Sequence, residues 1–260
     1  MTTLADRTIA ALRDLHDELG TLVPTLTQAQ LTGPSGASEW TVAQVLSHLG
    51  SGAEIALAPY TAALEGTPPP GPEFNQSVWD RWNAMSPQDQ ANGFLDHDAT
   101  LVATLEALTP DQRENLRLEL GFLPHPLDIA TMAGMRLNEV ALHSWDVHVG
   151  VDPAAALSDG AAEVLVEQFS GSMGFMLGFL GKADALDTTA VVDAHGLGLV
   201  IDDSVSLVPK AENTTATFAG PLEAFVRLVG GRLGDPYTPD TVSVTGNVTL
   251  DDLRRVFPGF

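Results

Sequence analysis

Arg136-Leu137-Asn138-Glu139-Val140-Ala141-Leu142-His143-Ser144-Trp145-Asp146-Val147-His148 organises the reading of the whole chain. It lies inside an uninterrupted helical stretch that runs from Leu127 to about Val149. Glu139 and His143 are four residues apart, so on a helix they emerge on one face, one turn from each other. A carboxylate and an imidazole so placed can chelate one divalent cation, given a third ligand from elsewhere. Such pairs are also common on solvated helix surfaces. Here Glu139 sits among Leu137, Val140 and Leu142, and a buried acid needs a partner.

Working outward, three more helices precede this one. Ala5 to Leu19 repeats leucines near helical spacing and is expected to stop at Gly20. Thr41-Val42-Ala43-Gln44 reads as a capping box that opens a second helix, running to about Leu64. Gly66-Thr67-Pro68-Pro69-Pro70-Gly71-Pro72 is expected to forbid helix. Ser86-Pro87 opens a third, closed by Thr109-Pro110. Leu123-Pro124-His125-Pro126 is a further break. Four helices with breaks between them give an antiparallel four-helix bundle. After Gly150-Val151-Asp152-Pro153 the texture changes. Asp159 to Leu180 reads as helix, with Met173–Leu180 buried. Short β-type runs follow at Thr189–Val192, Leu197–Ile201, Val205–Val208, Thr214–Phe218 and Val242–Val244, with helical runs at Leu222–Val229 and Leu250–Val256. The expected organisation is a helical domain, 1–152, and an α+β domain, 153–260.

Composition narrows the chemistry. The 260 residues hold 34 acids against 12 Lys and Arg, a formal net charge of -22. Such a surface repels phosphate, so nucleic acid and anionic membranes are not the expected partners. Cysteine is absent. This excludes disulfides, thiolate metal sites and cysteine nucleophiles, so any thiol chemistry needs sulfur from a second molecule. No secretory signal or run of about 18 apolar residues is visible, and the expected compartment is the cytoplasm.

The third ligand candidate is His48, in Ser47-His48-Leu49 of the second helix, where Leu46 and Leu49 turn its surroundings inward. A core histidine bonded to a carbonyl is the plainer reading of that residue. Two histidines, one carboxylate and an open position form a catalytic zinc arrangement, although iron(II) uses similar ligands. His148, five residues beyond His143, turns off the shared face. His16 and His97 read as solvated, and His195 as a turn. Trp40 is expected to pack as a helix staple, and Trp145 between the domains. Trp79 and Trp82 read either as a pocket wall or as surface packing. Arg136 pairs with Glu139, with another acid, or faces the pocket.

These stretches carry a resemblance. Ser38-Glu39-Trp40-Thr41-Val42-Ala43-Gln44-Val45-Leu46-Ser47-His48-Leu49 resembles the motif that begins the second helix of the mycothiol-dependent maleylpyruvate isomerase family. Arg136 through Asp146 is similar to the family's later motif. Gly220-Pro221-Leu222, Gly231-Arg232-Leu233 and Phe257-Pro258-Gly259-Phe260 resemble its C-terminal part. The resemblance implies a DinB-like four-helix bundle followed by a small α+β domain of sterol-carrier type. It implies His48, Glu139 and His143 as ligands of a divalent metal, zinc first, with Asp146 in the active site. It further implies Arg232, or alternatively Arg227, as the arginine that serves the substrate.

The implied partners are a low-molecular-weight thiol, mycothiol, and a small electrophile. In the implied reaction the thiolate adds to the cis double bond of maleylpyruvate, the resulting single bond rotates, and expulsion of the thiolate leaves fumarylpyruvate. Asp146 would orient an imidazole or bind the thiol's sugar hydroxyls. The alternative is an S-transferase in which the thiol stays attached. A carrier of apolar ligands with a structural metal and a metal-dependent hydrolase are readings of other classes.

Overall fold

The computed structural model describes residues 2–120 and 125–259. Leu123 and Pro124 of the expected break, Met1, and Phe260 of the terminal motif lie outside the described residues. The chain divides into two compact units, Met1–Ala155 and Ala156–Phe260.

In the first unit, helix α1 (Leu4–Leu22) opens on a reciprocal cap. Thr3 Oγ1 accepts from the Asp6 amide at 3.1 Å, and Asp6 Oδ2 accepts from the Thr3 amide at 2.9 Å. The helix runs past Gly20, where it was expected to end. A side chain at Gly20 would meet nothing within 4 Å, and one glycine costs a helix only about 1 kcal/mol against alanine.

Helix α2 (Val42–Glu65) begins on the expected capping box. Gln44 Oε1 accepts from the Thr41 amide at 2.8 Å, and Thr41 Oγ1 accepts from the Gln44 amide at 3.3 Å. Val42, Val45, Leu46 and Leu49 are fully buried. Gly66, at φ 69°, supplies the left-handed residue that ends it. Residues 67–71 are non-helical, but Pro72 opens an unexpected helix, α3 (Pro72–Asn83). Proline is tolerated there because the first helical N–H has no intrahelical partner to lose. Helix α4 (Pro87–Ala107) starts on Ser86 as foreseen. Helix α5 (Ile129–Val149) starts two residues later than expected. Leu127 and Asp128 pair with Leu118 and Arg117 as a small antiparallel ladder, and Asp128 accepts from the Thr131 amide at 2.8 Å to cap the helix.

Helices α1 and α2 each pack against both α4 and α5, so the four long helices enclose one core. A buried polar network links all four. Arg136 on α5 donates from Nη2 to the Leu49 carbonyl of α2 at 2.9 Å and to Asp98 Oδ1 of α4 at 2.8 Å. The other Asp98 oxygen meets His16 Nδ1 of α1 at 2.9 Å. Arg136 is thus paired with Asp98, one of the partners left open by the sequence. His16 is not the solvated residue expected, because Asp98 draws it inward.

The second unit starts with α6 (Asp159–Phe169). The expected helix through Leu180 breaks there, around Gly171 and Gly174, and resumes only as short turns. Met173 and Leu177 are buried, but Phe179 is 71% exposed, so the run is not a buried helix. Five strands follow: β1 (Ala190–Ala194), β2 (Leu197–Ile201), β3 (Val205–Val208), β4 (Ala216–Ala219) and β5 (Ser243–Gly246). They form one sheet in the order β3-β2-β1-β4-β5, antiparallel except for the parallel pair β1–β4. His195 and Gly196 turn β1 into β2 at φ 56° and 82°. Ala190, Val192 and Ala194 alternate inward, as a half-buried strand requires. Two helices complete the unit, α7 (Leu222–Val229) and α8 (Leu250–Val256).

Two consequences are measurable. Asp98→Ala strands the Arg136 charge inside the protein and lowers stability by about 3–5 kcal/mol, read as a fall in melting temperature. Burial would raise the Asp98 carboxyl, but the bond from His16 and the Arg136 charge outweigh it and hold it below the usual carboxylate range. Its contribution is therefore complete above the ordinary aspartate pKa and fades as pH falls through the lowered native value. Melting curves between pH 7 and pH 3 should show acid destabilisation that Asp98→Ala largely removes. In contrast, Gly20→Ala should stabilise by about 0.5–1 kcal/mol.

Candidate metal centre

The helical cap at Thr41 places His48 about two turns into α2. The helix started by Asp128 carries Glu139 and His143 on successive turns of α5. Packing of α2 against α5 brings the three side chains together. One donor atom from each lies within 4.8 Å of the others. Glu139 Oε2 is 3.0 Å from His48 Nε2 and 3.8 Å from His143 Nε2. The two imidazole rings meet edge-on at 4.7 Å.

The site is graded in exposure. The side chain of His143 is 11% exposed, that of His48 39%, and that of Glu139 46%. Its mouth is therefore on the Glu139 side. The carboxylate is nonetheless crowded by protein, and this crowding alone would raise its pKa. The hydrogen bond from His48 and the charges of His143 and His48 prevail, bringing it down to about 2. Glu139 is thus an anion at neutral pH.

Beneath the site, His143 Nδ1 donates to Asp146 Oδ2 at 2.7 Å, and Asp146 is fully buried. That bond fixes the ring so that the opposite nitrogen, Nε2, faces Glu139. Asp146 is held by its own backbone as well: its carbonyl accepts from the Gly36 amide at 2.8 Å. That bond fastens the loop before α2 to α5. The same loop presents Trp40, which stacks 5.9 Å from the His143 ring and lies 5.1 Å from His48. Trp40 was expected as a helix staple. It stands over both imidazoles and is 37% exposed. Its place directly before the cap residue was the available signal.

Other singled-out residues lie elsewhere. His148 bonds to the Ser144 carbonyl at 2.8 Å and faces Glu18 at 3.2 Å. His97 is 3.7 Å from Glu54, and His125 is exposed. Trp145 is buried and donates to the Ala155 carbonyl at 2.9 Å. Trp82 is buried, with Nε1 donating to Glu54 at 3.0 Å, whereas Trp79 is 45% exposed. In the second unit, Arg227 is buried and grips Glu223 through two bonds, at 2.7 and 3.0 Å, and the Tyr237 carbonyl at 2.8 Å. Arg232 is half-buried and donates to the Gly230 carbonyl at 2.8 Å.

The residues fit a divalent ion. Bonds of about 2.0–2.2 Å to nitrogen and oxygen, set at tetrahedral angles, need donors a little over 3 Å apart; the two separations from Glu139, 3.0 and 3.8 Å, bracket that spacing, and all three donors lie within 4.8 Å of one another. Residues 12–148 match the family model described as the mycothiol maleylpyruvate isomerase N-terminal domain, just over half of the chain. The chain belongs to the mycothiol maleylpyruvate isomerase family.

The fold agrees. The crystal structure of a mycothiol-dependent maleylpyruvate isomerase is similar at a TM-score of 0.65 and 17% identity, covering 95% of this chain and 98% of that one. A histidine-to-alanine mutant of a mycothiol-dependent maleylpyruvate isomerase is similar at 0.63 and 18% identity, with the same coverage. A search of curated proteins finds no match.

The loop carrying Trp40 tolerates no side chain at position 36. A Cβ there would lie 2.7 Å from Asp146 Oδ1 and 2.8 Å from the side chains of Trp145 and Val149. Gly36→Val should therefore cost about 1–3 kcal/mol. Thermal melting tests it, with a shift of tryptophan emission as the sign that the Trp40 loop has moved.

Proposed function

We propose that this family member is a metal- and mycothiol-dependent isomerase that converts maleylpyruvate to fumarylpyruvate. The observation that carries the reading is the open His48–Glu139–His143 cluster in a chain without cysteine. A divalent ion bound there, zinc before iron, would supply a Lewis acid that favours thiolate over thiol at neutral pH.

The chain's own residues have separable roles in this reading. His48 and His143 offer neutral ring nitrogens, and Glu139 offers a negative charge. Asp146 retains the Nδ1 proton of His143 and so aims the opposite nitrogen. It acts as a positioning residue through His143, and its burial argues against contact with the thiol's hydroxyls. Arg232 is the proposed binder of a substrate carboxylate and of the charge that develops on the adjoining carbonyl. Arg227 is the weaker choice, since Glu223 and the Tyr237 carbonyl already occupy its guanidinium.

The second reading is an S-transferase, favoured by the net charge of -22, which suits a neutral electrophile better than a dianion. The finer fold reading goes with the proposal: an antiparallel DinB-like bundle, 1–152, and a sterol-carrier-like domain, 153–260. So does a cytoplasmic location. Among the described residues, no helix is long and apolar enough to cross a membrane.

Metal analysis and assay test this together. The purified protein should carry close to one divalent ion per chain, and His48→Ala should lose it. Asp146→Asn should weaken metal affinity roughly 10–100-fold while the helical circular dichroism stays unchanged. Maleylpyruvate should turn over only when mycothiol is added. Full turnover without any thiol would overturn the reading, and stoichiometric metal in His48→Ala would overturn the ligand set.

A further inference from the structure

Arg136 and Glu139 stand one turn apart on α5, a spacing at which a guanidinium and a carboxylate pair readily. Such a pair is strong, because the planar fork of arginine matches both oxygens of the acid. It would also disable Glu139 as a ligand, with its lone pairs engaged and its charge cancelled. Among the described residues no such pair forms. Glu139 Oε2 turns to His48 and His143, at 3.0 and 3.8 Å. Arg136 turns the other way, into the bundle.

Asp98 is what turns it. Arg136 Nη2 donates to Asp98 Oδ1 at 2.8 Å and to the Leu49 carbonyl at 2.9 Å. Gly52 on α2 leaves room for the guanidinium, since a Cβ there would lie 3.1 Å from Nη1. Both bonds leave from one nitrogen. The buried Nε has no hydrogen-bond partner among the described residues. The guanidinium thus has a donor unused, in a place where an unpaired donor is costly. Burial would raise the Glu139 carboxyl; the bond from His48 and then the charges of His143, His48 and Arg136 lower it, so the Arg136 charge already reaches that acid. Asp98 prevails as partner because its side chain is 1% exposed against 46% for Glu139, and attraction between charges grows as water is excluded. His16 of α1 supports it from behind, with Nδ1 2.9 Å from Asp98 Oδ2.

We propose that Asp98 is a positioning residue for the metal centre, one that holds the Arg136 guanidinium off Glu139 and so keeps that carboxylate free for a cation. The proposal rests on the metal reading above for the cation, but not for the choice Arg136 makes between two acids. Asp98 touches neither ion nor substrate. It acts through Arg136, and His16 keeps the plane of its carboxylate fixed. The two acids are thereby given different tasks: the buried one neutralises the arginine, and the one at the mouth faces the ion.

The test uses the full chain carrying Asp98→Asn, which keeps the shape and an acceptor oxygen but removes the charge. The guanidinium should then turn to Glu139, and zinc affinity, measured by competition with a chromophoric chelator, should fall roughly tenfold or more. Asp98→Asn combined with Arg136→Gln should recover most of that loss, because glutamine keeps an amide for the Leu49 carbonyl and has no charge to offer Glu139. A network that serves only helix register predicts a double variant that binds no better than the single one, and that result overturns the proposal. His16→Ala leaves the Asp98 charge in place but loosens its carboxylate, and should weaken zinc binding about threefold. It keeps the question decidable if Asp98→Asn does not fold, with an unchanged affinity counting against the proposal. A crystal structure of metal-free Asp98→Asn separates this inference from the metal reading. An Arg136–Glu139 ion pair there supports it even if the native protein binds no zinc, and a guanidinium still turned away from Glu139 overturns it.

Discussion

A single buried guanidinium fixes the helices on which the candidate metal centre depends. Arg136 lies one turn before Glu139, and the carbonyl it holds belongs to Leu49, the neighbour of His48. The bond at 2.9 Å therefore sets the sliding register of α2 against α5 beside the very residues that must converge. Asp98 neutralises the charge, and His16 extends the network to the remaining long helix. A buried charge left alone would be costly. Held by a carboxylate and a carbonyl, it gives the bundle one preferred alignment among the many that leucine packing alone would accept. His48 and Glu139, 91 residues apart, meet as a consequence.

Much of this was legible because it is written in local chemistry. The Thr41–Gln44 box, the Ser86-Pro87 start and the spacing of Glu139 and His143 are each set by neighbours a few residues away. The sheet strands were legible for the same reason, being short apolar runs between turn residues. What failed was non-local or read too rigidly. Pro72 was taken only as a breaker, although proline suits the first position of a helix. His16 looked solvated among charged neighbours, because its partner Asp98 is 82 residues away. The stacking of Trp40 over two imidazoles went unread, since nothing local shows that its loop is tied to Asp146.

Arg227 and Arg232 of the second unit show the same limit. Both stand near glycines in a recognisable stretch, and spacing does not separate them. In the structure Arg227 is occupied by Glu223, which also accepts from the Leu157 amide at 3.2 Å. That ion pair serves the second unit's own packing. The first unit holds a parallel lesson. Its polar groups divide between those tied into the buried network, such as Asp98 and His16, and those left with bonding capacity beside the candidate metal centre, such as Ser47 and Gln90.

In the proposed function, two imidazoles and one carboxylate grip a cation and leave room for a foreign sulfur. X-ray absorption on the zinc-loaded protein tests it directly. Before mycothiol is added, the ion should show only nitrogen and oxygen neighbours, two of them imidazoles. After addition, one sulfur should enter at about 2.3 Å. An ion that stays saturated by protein ligands, with no sulfur at any mycothiol concentration, would contradict the account.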